Sequence, residues 1–293
     1  MMKIKLLLVA FLGFSITLSA QTKKTSNSLL WEISGNGLKK PSYLFGTHHL
    51  IGAKFADTMN VLQQKLKSAD AVVGEIVMDS TMQTKLGPFL IMKNNTLDSL
   101  LSIAEYKEVE NYFKSKQPDF ELKQLNNFKP AMVSIMVMLF DDPDIQKGIG
   151  NGIDDSFQQY AKKNAKLVFG LETAEYQGAL LFDTDLQKQK KALLKSIREI
   201  DKSKQKMEEL KTYYLAQDMD KLTSFFKAFD EENKEFMTEL LKNRNKRWLE
   251  QLPGLMQTQS LFIAVGAGHL VGDEGLIKGL QLKGYILKPI ATN

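Results

Sequence analysis

The chain has 293 residues, 43% of them hydrophobic and 25% charged, with three histidines and no cysteine. The missing cysteines exclude a disulfide framework, a Cys-ligated zinc or iron–sulfur centre and a thiol nucleophile, and the ordinary apolar fraction excludes a disordered chain. The 39 basic and 34 acidic residues are mixed along the chain; they are not massed into the basic patch that nucleic acid needs, so no nucleic-acid partner is expected.

Met1 to Lys5 carries two lysines, Leu6 to Leu18 carries no charge, and small Ser19 and Ala20 precede polar Gln21-Thr22-Lys23-Lys24. This is the order of a secretory signal peptide: basic start, short apolar run, small residues at the cut. The apolar run falls short of the roughly 20 residues that span a bilayer. We therefore expect residues 1–20 to be removed and residues 21–293 to form one exported domain, periplasmic or secreted, with no stable membrane span. No cysteine follows the cut, which excludes a lipoprotein anchor.

Leu29 to Ile33 and Ser42 to Phe45 are β-prone runs around Ser34-Gly35-Asn36-Gly37, so an antiparallel hairpin is predicted. Asp57 to Ser68 has helical spacing with Asp57 as the candidate N-cap. Ala71 to Val77 reads as the next strand, which makes a strand–helix–strand crossover. From about residue 80 to about 255 the pattern is mostly helical. Ser99 to Lys116 is predicted as one amphipathic helix with Leu100, Ile103, Tyr106, Val109 and Phe113 on its apolar face. Ala131 to Phe140 reads as a buried helix, and Asp154 to Asn164 as a helix opened by Gly150-Asn151-Gly152. Lys166 to Leu171 is a strand ending at Glu172. Leu186 to Phe229 is a long helical region rich in Lys and Glu, and Glu231 to Gln257 is helical with a break at Pro253-Gly254. Ser260 to Val265 is a strand, Asp273 to Lys283 a helix, and Tyr285 to Ile290 a closing strand. The fold class is α/β (α+β), a mixed central sheet flanked by helices with a large helical insertion.

Two of the three histidines share one setting. Phe45-Gly46-Thr47-His48-His49 and Val265-Gly266-Ala267-Gly268-His269 each run from an apolar strand through Gly-x-x-His. Glycine lets the backbone turn sharply, and the histidine emerges beyond the strand's carboxyl end, where open α/β sheets bind ligands. Glu75 and Glu172 stand at two further strand ends. Two histidines with one or two carboxylates suit a divalent metal. Each glutamate could also be an edge-strand charge facing water.

These paired segments resemble the GxxH motifs of the TraB/GumN family, which includes the TIKI metalloproteases. The resemblance covers nearly the whole mature chain. It extends to Val73-Gly74-Glu75, Gly152-Ile153-Asp154, Gly170-Leu171-Glu172-Thr173 with Gln177, Asn243-Arg244-Asn245 before Trp248, and Gly275-Leu276 to Gly284-Tyr285. It implies a fold related to erythromycin-esterase-like and haem-binding ChaN-like proteins. It also implies a site of His49, His269 and Glu75 around a divalent metal (Mn, Co or Zn), with Glu172 and Arg244 as further catalytic candidates. His48 stands at a variable motif position and is left out. The resemblance implies a metal-dependent hydrolase acting on a peptide or small molecule, most simply a peptidase. In it a glutamate, Glu172 or Glu75, would act as general base, and Arg244 would stabilise an oxyanion or hold a glutamate. The alternative is a non-catalytic envelope protein that binds haem, metal or another ligand, linked to polysaccharide assembly.

Overall fold

In the computed structural model, which describes residues 28–141 and 152–293, the hairpin forms as its turn chemistry dictates. β1 (Leu30–Ser34) and β2 (Ser42–Thr47) pair antiparallel. Gly35, Asn36 and Gly37 between them take φ of 77°, 48° and 80°, the left-handed region that glycine enters freely and asparagine tolerates. Residues 1–20, read as a signal peptide, and Gly150-Asn151 lie outside the described residues.

Six strands form one sheet in the order β4-β3-β5-β2-β1-β6, with β3 at Ala71–Gly74, β4 at Leu167–Gly170, β5 at Leu261–Gly266 and β6 at Ile286–Ile290. β4, β3, β5 and β2 run parallel, while β1 is antiparallel to both β2 and β6. The sheet is therefore mixed, and helices flank it. β2, β3 and β5 are nearly continuous apolar runs and are buried almost throughout, as parallel strands covered on both faces must be. Phe45 and Phe262 on neighbouring strands meet Phe157 edge-on, with ring centroids 5.8 and 5.0 Å away. A second core, built on Leu97, Val109, Phe113, Leu122, Val133, Val137 and Leu193, closes within the helical insertion.

Several local expectations give way to packing. Asp57 ends a short helix, Lys54–Asp57, and the next begins at Asn60 with no side-chain cap. Its first amides are met from the far end of the chain: Val61 and Leu62 donate to the Thr292 carbonyl. The helix expected over Ser99 to Lys116 is two, Leu97–Leu100 and Ile103–Lys116, because Ser102 and Glu105 form a capping box that starts the second. Ile103, in the first turn, is 91% exposed and lies off the apolar face. The helix Pro130–Asp141 buries only the stripe Pro130, Val133 and Val137. The long charged region is three helices, Leu186–Arg198, Ile200–Leu215 and Met219–Glu232. Asn243–Thr258 runs unbroken through Pro253, since buried Trp248, Leu252 and Met256 seat the helix on both sides of the proline. β3 stops at Gly74, not Val77, and the Glu75 carbonyl then accepts from the Glu172 amide. Among the described residues no helix is long and apolar enough to cross a membrane.

Candidate functional site

Because β2, β5, β3 and β4 are parallel neighbours, the residues just past their carboxyl ends share one edge of the sheet. His49, His269, Glu75 and Glu172 are those residues. The two Gly-x-x-His turns pack against each other. A Cβ at Gly46 would stand 3.1 Å from the Cα of Ala267. A Cβ at Gly266 would stand 3.3 Å from Glu75 Oε1 and 3.8 Å from His49 Nε2. Both approaches are tighter than ordinary contact, so a side chain at either glycine would push its neighbour by a few tenths of an ångström.

Glu75 lies at the centre and is 7% exposed, so it is a buried acid and not a charge facing water. Its Oε1 accepts from the Gly266 amide at 2.9 Å and faces both imidazoles, 3.9 Å from His49 Nε2 and 3.8 Å from His269 Nε2. Its Oε2 accepts from Arg244 Nη2 at 2.6 Å and from Gln177 Nε2 at 3.2 Å. Arg244, 3% exposed, reaches the site from the helix Asn243–Thr258 just after the π-helical turn Thr238–Lys242. It grips Glu172 through Nε (3.0 and 3.1 Å) and Nη2 (2.6 Å). Its Nη1 donates to the Leu240 carbonyl and to His269 Nε2, each at 3.0 Å. The Arg244 guanidinium also lies 4.7 Å from the Trp248 ring centroid, a cation–π contact.

The histidines are backed differently. His49 Nδ1 meets Asp154 Oδ2 at 3.0 Å, and Asp154 also accepts from Thr47 Oγ1 at 2.8 Å. His269 Nδ1 meets Asn245 Oδ1 at 2.7 Å, and its ring lies 4.3 Å from that of Trp248. The His49 side chain is 62% exposed, at the mouth of the cleft, whereas His269 is buried.

These surroundings set the charges. Burial alone would raise the Glu75 carboxyl, but His269, His49, the Arg244 guanidinium and the Gly266 amide outweigh it and hold it at about 2. Desolvation disfavours protonated His269, with the Arg244 charge adding to it, and the imidazole falls to about 3 despite Glu75. It is neutral near pH 7, so the charges that keep Glu75 ionised there are those of Arg244 and His49. For His49 desolvation is the largest influence and lowers its pKa, but the Asp154 hydrogen bond and the Asp154 and Glu75 charges together lift it to about 9.

All five residues named from sequence and resemblance, His49, His269, Glu75, Glu172 and Arg244, therefore meet in one cluster. His48 does not join it: its Nδ1 accepts from the Leu50 amide and its ring lies 5.2 Å from that of Tyr214. Asp154, Asn245 and Gln177 belong to the cluster although nothing in their spacing marks them. The signal available is their place in the segments that carry the family resemblance.

A cleft of about 380 Å³ opens over the cluster, with Ile76, Met78 and Met82 among its apolar lining and His49, Glu75, Asp154 and Gln177 among its polar lining. Both imidazoles give their Nδ1 to an acceptor and turn Nε2 to one carboxylate oxygen, the orientation that metal-ligating histidines adopt. Ligand atoms about 2.1 Å from a shared tetrahedral cation lie roughly 3.4 Å apart, so separations of 3.8 and 3.9 Å are within a small adjustment. As it stands, no group of three His, Asp or Glu side chains among the described residues is arranged to hold a metal. Arg244 Nη1 takes the His269 lone pair, and His49 carries a proton that a metal must displace. The donor types fit a cation such as Mn, Co or Zn once those two adjustments are made.

No curated protein and no solved structure matches the chain. The profile of the TraB/PrgY/gumN family matches residues 29–289. That span opens ahead of β1, closes within β6 and contains every residue of the cluster, so the chain belongs to the TraB/PrgY/gumN family.

Proposed function

We propose that the protein is an exported metal-dependent hydrolase acting on peptides, with its chemistry at the edge of the sheet shared by β2, β3 and β5. The observation that carries this reading is the shared aim of His49 Nε2 and His269 Nε2 at Glu75 Oε1, with each Nδ1 tied down behind its ring. His49, His269 and Glu75 would hold the cation. When bound, the cation supplies a water of lowered pKa and polarises the substrate carbonyl.

The chain's own residues do the rest. Of the two glutamates Glu75 lines the cleft and turns Oε1 to both imidazoles, so it is the one placed to ligate the cation; held at about 2, it is a ligand and not the base. Glu172 has both oxygens on Arg244 and acts by fixing that guanidinium. Arg244 in turn keeps Glu75 ionised and holds it in place: its N–H groups are all bonded, to Glu172, Glu75, the Leu240 carbonyl and His269. The wall of Ile76, Met78 and Met82 gives an apolar substrate side chain a surface next to the hydrolysed amide. Export rests on the leader pattern of residues 1–20; the mature protein is then expected to begin at Gln21, as N-terminal sequencing would read.

One observation favours a second reading, a binding protein without turnover: the Arg244 bond to His269 Nε2 uses the lone pair that a cation needs. Metal stripping, metal analysis and peptide hydrolysis with and without added Mn, Co and Zn separate the two. The hydrolase reading predicts metal-dependent cleavage lost in both His49→Ala and His269→Ala. It fails if no cation binds, or if both variants bind and cleave as the parent does. Binding of a peptide with no cation present and without cleavage would select the binding protein.

A further inference from the structure

Asn245 follows Arg244 on the same helix and faces the back of His269. Its Nδ2 donates to two backbone carbonyls, His269 O at 3.2 Å and Glu274 O at 2.9 Å. A carbonyl oxygen can only accept, so the amide cannot turn over: its NH2 must face these two oxygens. Its Oδ1 is thereby aimed at His269 Nδ1, 2.7 Å away. An acceptor at that distance requires a hydrogen on Nδ1. Arg244 Nη1 can only donate, so the Nε2 that it meets at 3.0 Å is bare and the ring carries its one hydrogen on Nδ1; the same Nε2 faces Glu75 Oε1. Two main-chain carbonyls, acting through one side-chain amide behind the ring, and the Arg244 donor in front of it thus agree on which nitrogen of His269 presents a lone pair to the site.

We propose that Asn245 is a positioning residue that fixes His269 as its Nδ1–H tautomer and keeps Nε2 available as ligand or acceptor. The choice of an amide has a reason. His49 is backed by the carboxylate of Asp154, which adds negative charge at the mouth of the cleft. His269 sits buried beside Glu75 and within reach of the Arg244–Glu172 pair. There a third buried carboxylate would stand against two carbonyl oxygens and lack a donor. The neutral amide orients the ring without that charge. The tautomer assignment stands independently of the metal reading, while its consequence for cation binding rests on it.

The test uses the protein labelled with ¹⁵N-histidine. Long-range proton–nitrogen spectra report the tautomer of each ring, and with three histidines in the chain the His48→Gln and His49→Gln variants assign the signals. The expected wild-type result is Nδ1 protonated and Nε2 bare at His269. In Asn245→Ala the Arg244 Nη1 donor still requires a bare Nε2 in the metal-free protein, but once a cation displaces Arg244 nothing is left to hold the tautomer or the ring, so Co(II) binding should weaken about 10- to 100-fold, the loss typical of removing a group behind a ligating histidine. An Nε2–H ring in the wild-type protein overturns the proposal, and so does an Asn245→Ala variant that binds Co(II) as the parent does. If Asn245→Ala does not fold, the wild-type spectra decide. A wild-type protein that binds no Co(II) sinks the metal reading, and the ring spectra still decide this one.

Discussion

Replacing Arg244 by alanine tests the electrostatic core of the site. The change strands two buried carboxylates that now share one guanidinium: Glu75 at 2.6 Å and Glu172 at 2.6 Å from Nη2. Removing one member of a buried ion pair costs about 3–5 kcal/mol, because the partner stays desolvated and uncompensated. For a chain of this size that corresponds to a melting temperature lowered by about 5–8 °C. The pH dependence carries the sharper signature. In the wild-type protein the Glu75 carboxyl is held at about 2 against an ordinary 4.5. Its contribution is therefore complete above about 4.5 and is lost as pH falls towards 2. Without Arg244 the carboxyl loses one of the charges that oppose its burial and moves up from about 2, so acid costs the variant less than it costs the parent. Urea unfolding at about pH 7 and about pH 4 should show the deficit shrinking on acidification. Arg244→Lys, which keeps the charge without the planar fork, should fall between the two. A loss under about 1 kcal/mol at neutral pH, or a deficit that is constant or grows in acid, would refute the account.

Gly266→Ala places a methyl 3.3 Å from Glu75 Oε1, 3.7 Å from His269 Cδ2 and 3.8 Å from His49 Nε2, on a backbone (φ −50°) that alanine accepts. Co(II) affinity should drop at least about tenfold, roughly 1.4 kcal/mol, with the melting temperature little changed; full affinity in a folded variant would contradict the geometry. Glu105→Ala removes the carboxylate that Lys190 and the Ser102 amide hold at about 2, and should cost about 1 kcal/mol at neutral pH. Since that carboxyl lies below its ordinary 4.5, the cost should persist above about 4.5 and vanish towards pH 2, as denaturant midpoints across that range would show.

What could be read from the sequence was local. Gly35-Asn36-Gly37 specifies its turn because those residues tolerate positive φ, and the two Gly-x-x-His segments show their shared setting without any knowledge of the rest. The parallel register then brings His49, Glu75, Glu172 and His269 to one edge, which strand order alone does not predict. Arg244 is different. From its residue type it could be an ordinary surface cation, and only the resemblance named it. Its burial between two glutamates depends on how the helix Asn243–Thr258 seats Trp248 and Leu252. The same long-range packing explains the misjudged positions. Asp57 loses the capping role because Thr292 supplies the acceptor, and Pro253 fails to break a helix anchored on either side. Ile103 looks apolar on a helical wheel but falls in the first turn, where the chain has not yet reached the core.

The position of β5 has a consequence in time. It lies between β2 and β3, bonded to both, yet it is made after nearly all the residues it organises. A nascent chain that has emerged as far as Asn243 already contains His49, Glu75, Glu172 and their helices. It has nothing to insert between β2 and β3, and Gly266 is not there to donate to Glu75. The cluster therefore cannot form in stages during synthesis: it is completed only once the late strand is in place, with β6 still to close on β1.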